Sequence, residues 1–398
     1  MSEKLAIFGG QPLRKEFLPY GHQWIDDYDI KAVNDVLKND WITQGPKVSE
    51  FEKLIANYCK AKYAVAFSSG TAALHATSFA AGISDGDEVI TTPITFAADG
   101  NCVLYQKGDV KFADIKDDTH NIDPKKIKDK ITRRTKAIIP VDYTGQPCDL
   151  DEIKNIAERH NIVVIEDATH AIGAEYKDKK VGGLADFTIF SFHPVKNITT
   201  GEGGMALTNN EDYYEKLKMF RTHGIVKEDN KMRRNEGEWY YEMQSLGYNY
   251  RLTDFQCALG ISQFKKLEKF VKKRREIANK YNEAFSEIKE IIIPYEKRNV
   301  ISTYHLYVIQ LKLEDLKVDR KAIFDAFRAE NIGVHVHYIP LHLQPYYQEK
   351  FGYKHGDFPI AENFYERAIT LPLFPKMTDG DVRDVIDAVK KIVGYYRS

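Results

Sequence analysis

Apolar positions between residues 60 and 208 fall into short runs rich in β-branched and aromatic side chains, separated by stretches of helical periodicity. The runs are YAVAF (63–67), DEVITT (87–92), DVKFADI (109–115), AIIPV (137–141), NIVVIE (161–166), FTIFSF (187–192) and GMALT (204–208). Amphipathic segments such as TAALHATSFAAG and DLDEIKNIAERH lie between several of them. Strands that alternate with helices predict a mostly parallel sheet covered on both faces. After GMALT the pattern predicts a turn and a helix that opens at an Asn/Asp cap. The stretch 226–239, VKEDNKMRRNEGEW, is charged and aperiodic and predicts a mobile loop.

Within 252–285, Phe255, Leu259, Phe264, Leu267, Phe270, Ile277, Tyr281 and Phe285 recur at helical intervals and predict one or two long helices. Seven basic residues between Lys265 and Arg275 are expected on the solvated face of that helix. No interleaved aromatic platform or second basic patch makes them a nucleic-acid surface. Beyond Pro294, the segments STYHLYVIQLKL, DRKAIFDAFRAEN, GVHVHYIP and TDGDVRDVIDAVKKIVGYY predict a smaller α+β unit. The expected organisation is an N-terminal segment and large domain over 1–251, followed by a linking helix and small C-terminal domain over 252–398.

Composition narrows the class. A chain of 398 residues that is 43% hydrophobic can bury a sizeable core, which excludes a disordered chain, a collagen-like fibre or a disulfide-stapled miniprotein. Its 57 basic and 58 acidic residues leave a net charge of −1, which argues against a dedicated nucleic-acid or membrane-surface protein. The four cysteines are far apart and form no CxxC pair, so neither a zinc ribbon nor a disulfide framework is expected. The start lacks the apolar core of a signal peptide, and no run approaches the roughly 18 apolar residues that span a bilayer. A soluble, cytoplasmic protein is expected.

In an open α/β sheet, ligands bind at the carboxyl ends of the parallel strands. YAVAF is followed by Ser68-Ser69-Gly70-Thr71 and a helix, DEVITT by Pro93-Ile94-Thr95-Phe96, and AIIPV by Asp142-Tyr143. NIVVIE is followed by Asp167-Ala168-Thr169-His170, and FTIFSF by His193-Pro194-Val195-Lys196 and then Thr199-Thr200-Gly201-Glu202-Gly203-Gly204. Taken singly, these are a helix cap, a core ring, a second cap, a solvated lysine and a turn. Taken together they supply an anion-binding turn, a ring face, a carboxylate and an amine to one rim, and those pieces complement one chemistry.

That set resembles the site of a pyridoxal-phosphate enzyme of the aspartate-aminotransferase fold. More narrowly, SSGTAALH, PITFAADGNCVLY, EDATHAIGA, FSFHPVKNITTGEGGMALT and GYNYRLTDFQCALG resemble the sugar-nucleotide aminotransferase family called DegT/DnrJ/EryC1/StrS. The resemblance runs from about WITQGPKVSEFE to LPLFP and lies nearest the branch that makes the 4-amino sugar on the route to pseudaminic acid. It implies a type I fold with a mostly parallel seven-stranded sheet and a smaller C-terminal α+β domain. It also implies pyridoxal 5'-phosphate as cofactor, with amino transfer from L-glutamate to C4 of a UDP-4-keto-6-deoxy-N-acetylhexosamine. The alternatives are a transaminase for another nucleotide sugar and a non-catalytic cofactor-binding regulator.

By the same resemblance, Lys196 carries the cofactor and acts as general acid/base, since a lysine rather than a histidine at this position goes with transamination. Asp167 pairs with the pyridine nitrogen, and His170 lies near the ring oxygen. Gly70 and Thr71 hold the phosphate at a helix N-terminus with Ser191, and Phe96 lies against the ring face. Asn249 reaches the phosphate of the neighbouring subunit, which makes a homodimer with shared sites the minimal functional unit. Thr43, Arg251, His337 and Tyr338 are candidate substrate contacts, whereas His193 is expected to be structural. His335, His337 and His342 mimic a metal set, but no carboxylate or cysteine completes it nearby in sequence, so no metal is expected. Two departures from the branch pattern stand out: Asn197 after the lysine, where proline is common, and Asp99-Gly100 after Phe96.

Overall fold

The seven apolar runs form the seven strands of one sheet. In the computed structural model, which describes residues 4–398, they span Tyr63–Phe67 (β1), Glu88–Thr91 (β2), Asp109–Phe112 (β3), Thr135–Ile139 (β4), Val163–Asp167 (β5), Phe187–Ser191 (β6) and Gly204–Thr208 (β7). Their spatial order is β1-β7-β6-β5-β4-β2-β3. Strands β2 to β6 pair in parallel, while β7 runs antiparallel to both β1 and β6. The reversal has a local cause: no helix separates β6 from β7, and a parallel pair needs a crossover.

Alternate strand residues face opposite layers, and both layers are buried. Val65 and Phe67 pack into the cluster that holds the helix Gly70–Ala80 (α1), whereas Ala64 and Ala66 pack against Phe51 and Ile55 on the other side. This two-sided burial is why the strands read as continuous apolar runs rather than as an alternation. The helix after β7, Glu211–Arg221, opens at Asn210, whose side chain accepts from the Tyr213 amide.

The stretch 252–285 is two helices, Asp254–Phe264 (α2) and Leu267–Phe285 (α3). Cys257 and Ile261 of α2 pack in the large-sheet core, while Ile277, Tyr281 and Phe285 of α3 pack in a second core. That second core is built on a three-stranded antiparallel sheet of Ile291–Ile292 (β8), Tyr307–Leu311 (β9) and Ala368–Leu371 (β10). Leu5 and Leu18 also join it, and the Ala6 and Leu13 amides each donate at 2.9 Å to the Glu330 carboxylate. The N-terminal segment therefore packs with the C-terminal core, and α2 packs with the large sheet.

One basic residue departs from its expected place. Arg274 is buried, not solvated, and its Nη1 donates to the His305 and Leu373 carbonyls at 3.1 and 2.9 Å. Burial pushes its guanidinium down to about 9. Two otherwise orphaned carbonyls at the junction of the cores explain why a charge is kept inside. The stretch 226–239 is a largely exposed loop with one 3-10 turn at Asp229–Lys231, closed by a two-residue ladder between Ile225–Val226 and Glu242–Met243. Among the described residues, no helix is long and apolar enough to cross a membrane.

Candidate active site

The carboxyl ends of β1, β2, β5 and β6 open onto one cavity of about 530 Å³, roofed by residues of the small unit. At one end of it lies the start of α1. Ser69 caps this helix by accepting from the Ala72 amide at 3.1 Å, which leaves the amides of Gly70 and Thr71 at the positive end of the helix dipole. A Cβ on Gly70 would stand 3.1 Å from that of Ser191, and one on Gly204 would stand 2.3 Å from the Ser69 carbonyl oxygen. Glycine at both positions lets the turn and β6 close around an anion-sized pocket. Ser191 lines the same end, and its hydroxyl oxygen accepts from the His193 amide at 3.4 Å.

At the floor stand Lys196, Asp167 and Asp99. Lys196 follows β6 in a turn closed by its own amide donating to the His193 carbonyl at 2.9 Å. Desolvation pushes its ammonium down to about 8, with Asp167 the larger of the opposing influences. The amine therefore loses its proton near neutral pH far more readily than an ordinary lysine does. Asp167 ends β5, and its Oδ1 accepts from the Thr169 amide at 2.9 Å, but turns rather than a helix follow it. The capping interpretation of Asp167 therefore fails, since there is no helix to cap. Phe96, 62% exposed, presents its ring at the mouth.

His170 is buried, with Nε2 3.2 Å from the Tyr338 hydroxyl and its ring centroid 4.4 Å from that of His305. Burial first, and then the charges of Lys196 and His337, hold its pKa well below the ordinary imidazole value, so the ring is neutral. His337 and Tyr338 line the roof with Tyr20, His305 and His335. The His335 and His337 rings stack 4.6 Å apart, whereas His342 is drawn away to Glu362 at 2.8 Å. Among the described residues, no three ligating side chains form a metal-sized cluster.

The cavity thus brings together Gly70, Thr71, Phe96, Asp167, His170, Ser191, Lys196, His337 and Tyr338. It does not bring in Thr43, Asn249 or Arg251 of the same chain; Thr43 and Asn249 are exposed to solvent and Arg251 is half-buried. His193, expected to be structural, is an exposed cavity-lining residue. Sequence reasoning missed Tyr20, Asp99 and His305. Only Asp99 carried a signal, as a departure from the branch pattern.

Two comparisons decide the family. A sequence model of the DegT/DnrJ/EryC1/StrS aminotransferase family matches residues 23–390. The chain belongs to this family. Relatives include the uncharacterized protein MJ1066 of Methanocaldococcus jannaschii, 50% identical over 97% of this chain and 100% of that one. The spore coat polysaccharide biosynthesis protein SpsC of Bacillus subtilis is 44% identical over 96% of this chain and 98% of its own. A UDP-4-amino-4,6-dideoxy-N-acetyl-beta-L-altrosamine transaminase of Campylobacter jejuni is 41% identical, covering 94% of this chain and 97% of its own. Among solved structures, the Helicobacter pylori PseC aminotransferase of pseudaminic acid biosynthesis superposes with a TM-score of 0.89 at 34% identity, over 96% of this chain and 100% of that one. The PLP form of the Streptococcus pneumoniae sugar aminotransferase Spr1654 superposes equally well, with a TM-score of 0.89 at 30% identity, over 95% of this chain and 99% of that one.

As a DegT/DnrJ/EryC1/StrS aminotransferase, the chain is a pyridoxal-phosphate-dependent sugar aminotransferase of the type I fold. The cavity fits that cofactor. It offers an amine of lowered basicity, a carboxylate, an exposed ring and a glycine-lined helix start, and the buried Nδ1 of His170 has no protein partner.

Proposed function

We propose that the enzyme moves an amino group from L-glutamate to C4 of a UDP-4-keto-6-deoxy-N-acetylhexosamine, giving a UDP-4-amino sugar for pseudaminic acid or a related surface glycan. The observation that carries this reading is the 41% identity, nearly end to end, with the Campylobacter transaminase of that name. The superposition on the Helicobacter enzyme supports it. A second reading, a different amino sugar for a surface polysaccharide, is favoured by the 44% identity with the spore-coat protein.

Bound pyridoxal phosphate supplies an aldehyde that exchanges amino groups and a ring that withdraws electrons. The chain's residues do the rest. Lys196 would hold the cofactor and would accept and return a proton at Nζ; a pKa near 8 suits both roles near neutral pH. Asp167 would hold a proton on the pyridine nitrogen. The Gly70 and Thr71 amides, the Thr71 hydroxyl and Ser191 hold the phosphate. Phe96 would flank the cofactor ring, and neutral His170 would serve it as a hydrogen-bonding group. His337 and Tyr338 close the sugar side from the small unit, which excludes water.

Asn249, Thr43 and Arg251 belong in this proposal to the partner's site. Asn249 completes the phosphate pocket across a two-fold homodimer, and Thr43 and Arg251 approach the nucleotide sugar there. We also propose 1–251 and 252–398 as the two domains, with the N-terminal strap tied to the second. Incubation with glutamate and a panel of keto nucleotide sugars, with products identified by mass spectrometry and NMR, tests the substrate. Turnover of only dTDP-linked or 3-keto sugars overturns it.

A further inference from the structure

Asp99 and Asp167 place two carboxyl groups side by side at the floor of the cavity, within hydrogen-bond reach of each other. Asp99 lies three residues past Phe96, in the first turn of the helix Ala97–Tyr105, and is only 1% exposed. Its Oδ2 accepts from the Thr95 hydroxyl. Its Oδ1 finds no donor at all. An acceptor facing another acceptor in a dry site is a repulsion unless one of the two carries a proton.

The surroundings decide which one. Asp167 accepts a backbone amide through Oδ1, whereas Asp99 accepts only the Thr95 hydroxyl, so Asp99 is the one with an oxygen free to carry the proton. The titratable groups facing Asp99 are Asp167 from the end of β5, Lys196 from the turn after β6, Cys102 from its own helix, and Tyr338 and Tyr347 from the small unit. Lys196 is the one cation in that set, and Asp167 shares it. We propose that Asp99 is a neutral carboxylic acid that donates its Oδ1 proton to Asp167, so that the pair carries one negative charge fixed on the carboxylate facing the cofactor ring. Burial, and then the Asp167 charge, push Asp99 well above the usual carboxylate range, with the Thr95 hydroxyl only partly opposing them.

Asp99 is then a positioning residue. Its proton holds Asp167 in one orientation and keeps a second negative charge out of the floor, where two adjacent carboxylates would bind Lys196 as an ammonium and remove its free amine. The inference rests on the reading of Asp167 as partner of the ring nitrogen, but its first test does not use the cofactor.

The apoprotein at pH 7, compared by infrared spectroscopy with Asp99→Asn, is expected to show one protonated-carboxyl stretching band that the variant lacks and that shifts in D2O. Asp99→Thr, which keeps a hydroxyl donor, serves for the same difference spectrum should the asparagine variant not fold. Absence of that band overturns the proposal, because it means Asp99 is ionised. Pyridoxal phosphate itself is the second probe. Asp99→Asn is expected to bind it within about threefold of wild type, and Asp99→Ala about tenfold more weakly, because a charged acceptor then lacks one donor. Equal binding by the two variants overturns the donor role. If the band is present while Asp167→Asn keeps full turnover, the reading of Asp167 fails and the shared proton stands.

Discussion

The Tyr338 hydroxyl lies 3.2 Å from Nε2 of His170, tying the small unit to the turn that follows β5. With that nitrogen engaged and the other buried without a partner, the ring is held as a neutral group. Tyr338→Phe keeps the ring and removes the contact. The expected cost is about 1 kcal/mol in holoenzyme stability, typical of one lost buried hydrogen bond, measured by denaturant unfolding. An unchanged midpoint and slope would show that the contact contributes nothing.

Lys196 is expected to be the residue that borohydride fixes to the cofactor, and Lys196→Ala is expected to abolish turnover. Peptide mapping reads the result directly. A label on any other lysine sinks the mechanism.

Asp167→Asn is expected to leave the fold intact and to cut turnover by about a hundredfold or more, the scale of losing one preorganised electrostatic group in a buried site. Steady-state kinetics beside a circular dichroism spectrum separates this from misfolding. Activity near wild type would leave Asp167 with only its Thr169 turn.

The lowered basicity of Lys196 has a definite sign in pH experiments. Its folded value of about 8 lies below the ordinary 10.5, so between those values the unfolded chain binds more protons and stability rises with pH. Apo wild type is therefore expected to gain stability relative to Lys196→Ala from about pH 8 to 10.5, with a flat difference below pH 8. Cofactor reincorporation, which needs the free amine, accelerates over the rise through about pH 8. Chemical denaturation and stopped-flow absorbance measure the two; a gain that appears only below pH 8 contradicts the assignment.

Asn249 is exposed and stands outside its own chain's cavity. Asn249→Ala is expected to weaken cofactor retention by about 1–3 kcal/mol, the cost of leaving a charged acceptor short of a donor. Mixing it with Lys196→Ala should restore part of the activity, because one site of each hybrid dimer has both residues. An active monomer in sedimentation, or mixtures that never complement, would falsify the shared site.

The large sheet was legible in the sequence because most of its strands are buried on both faces and leave apolar runs, while the edge strand β3 alternates; GMALT matches β7 residue for residue. The rim was legible for a related reason: in a parallel sheet the residues just past each strand share one edge, so Gly70, Phe96, Asp167 and Lys196 could be grouped without coordinates. Periodicity carries no information on which distant segments meet. Arg274 sits in a run of lysines and looks solvated, yet the His305 and Leu373 carbonyls draw it inside. Leu5 and Leu18 precede the large sheet in sequence and pack instead with the C-terminal core, where Glu330 accepts from the Ala6 and Leu13 amides of the same segment. Asp99 and Asp167 are capping-type residues in the sequence, and only the folding of β2 beside β4, and β4 beside β5, brings their carboxyls together. Local pattern thus determined the strands and the edge on which chemistry stands, since those depend on near neighbours. The charge state of that edge was decided by the tertiary structure alone, since desolvation and pairing depend on atoms far away in the chain.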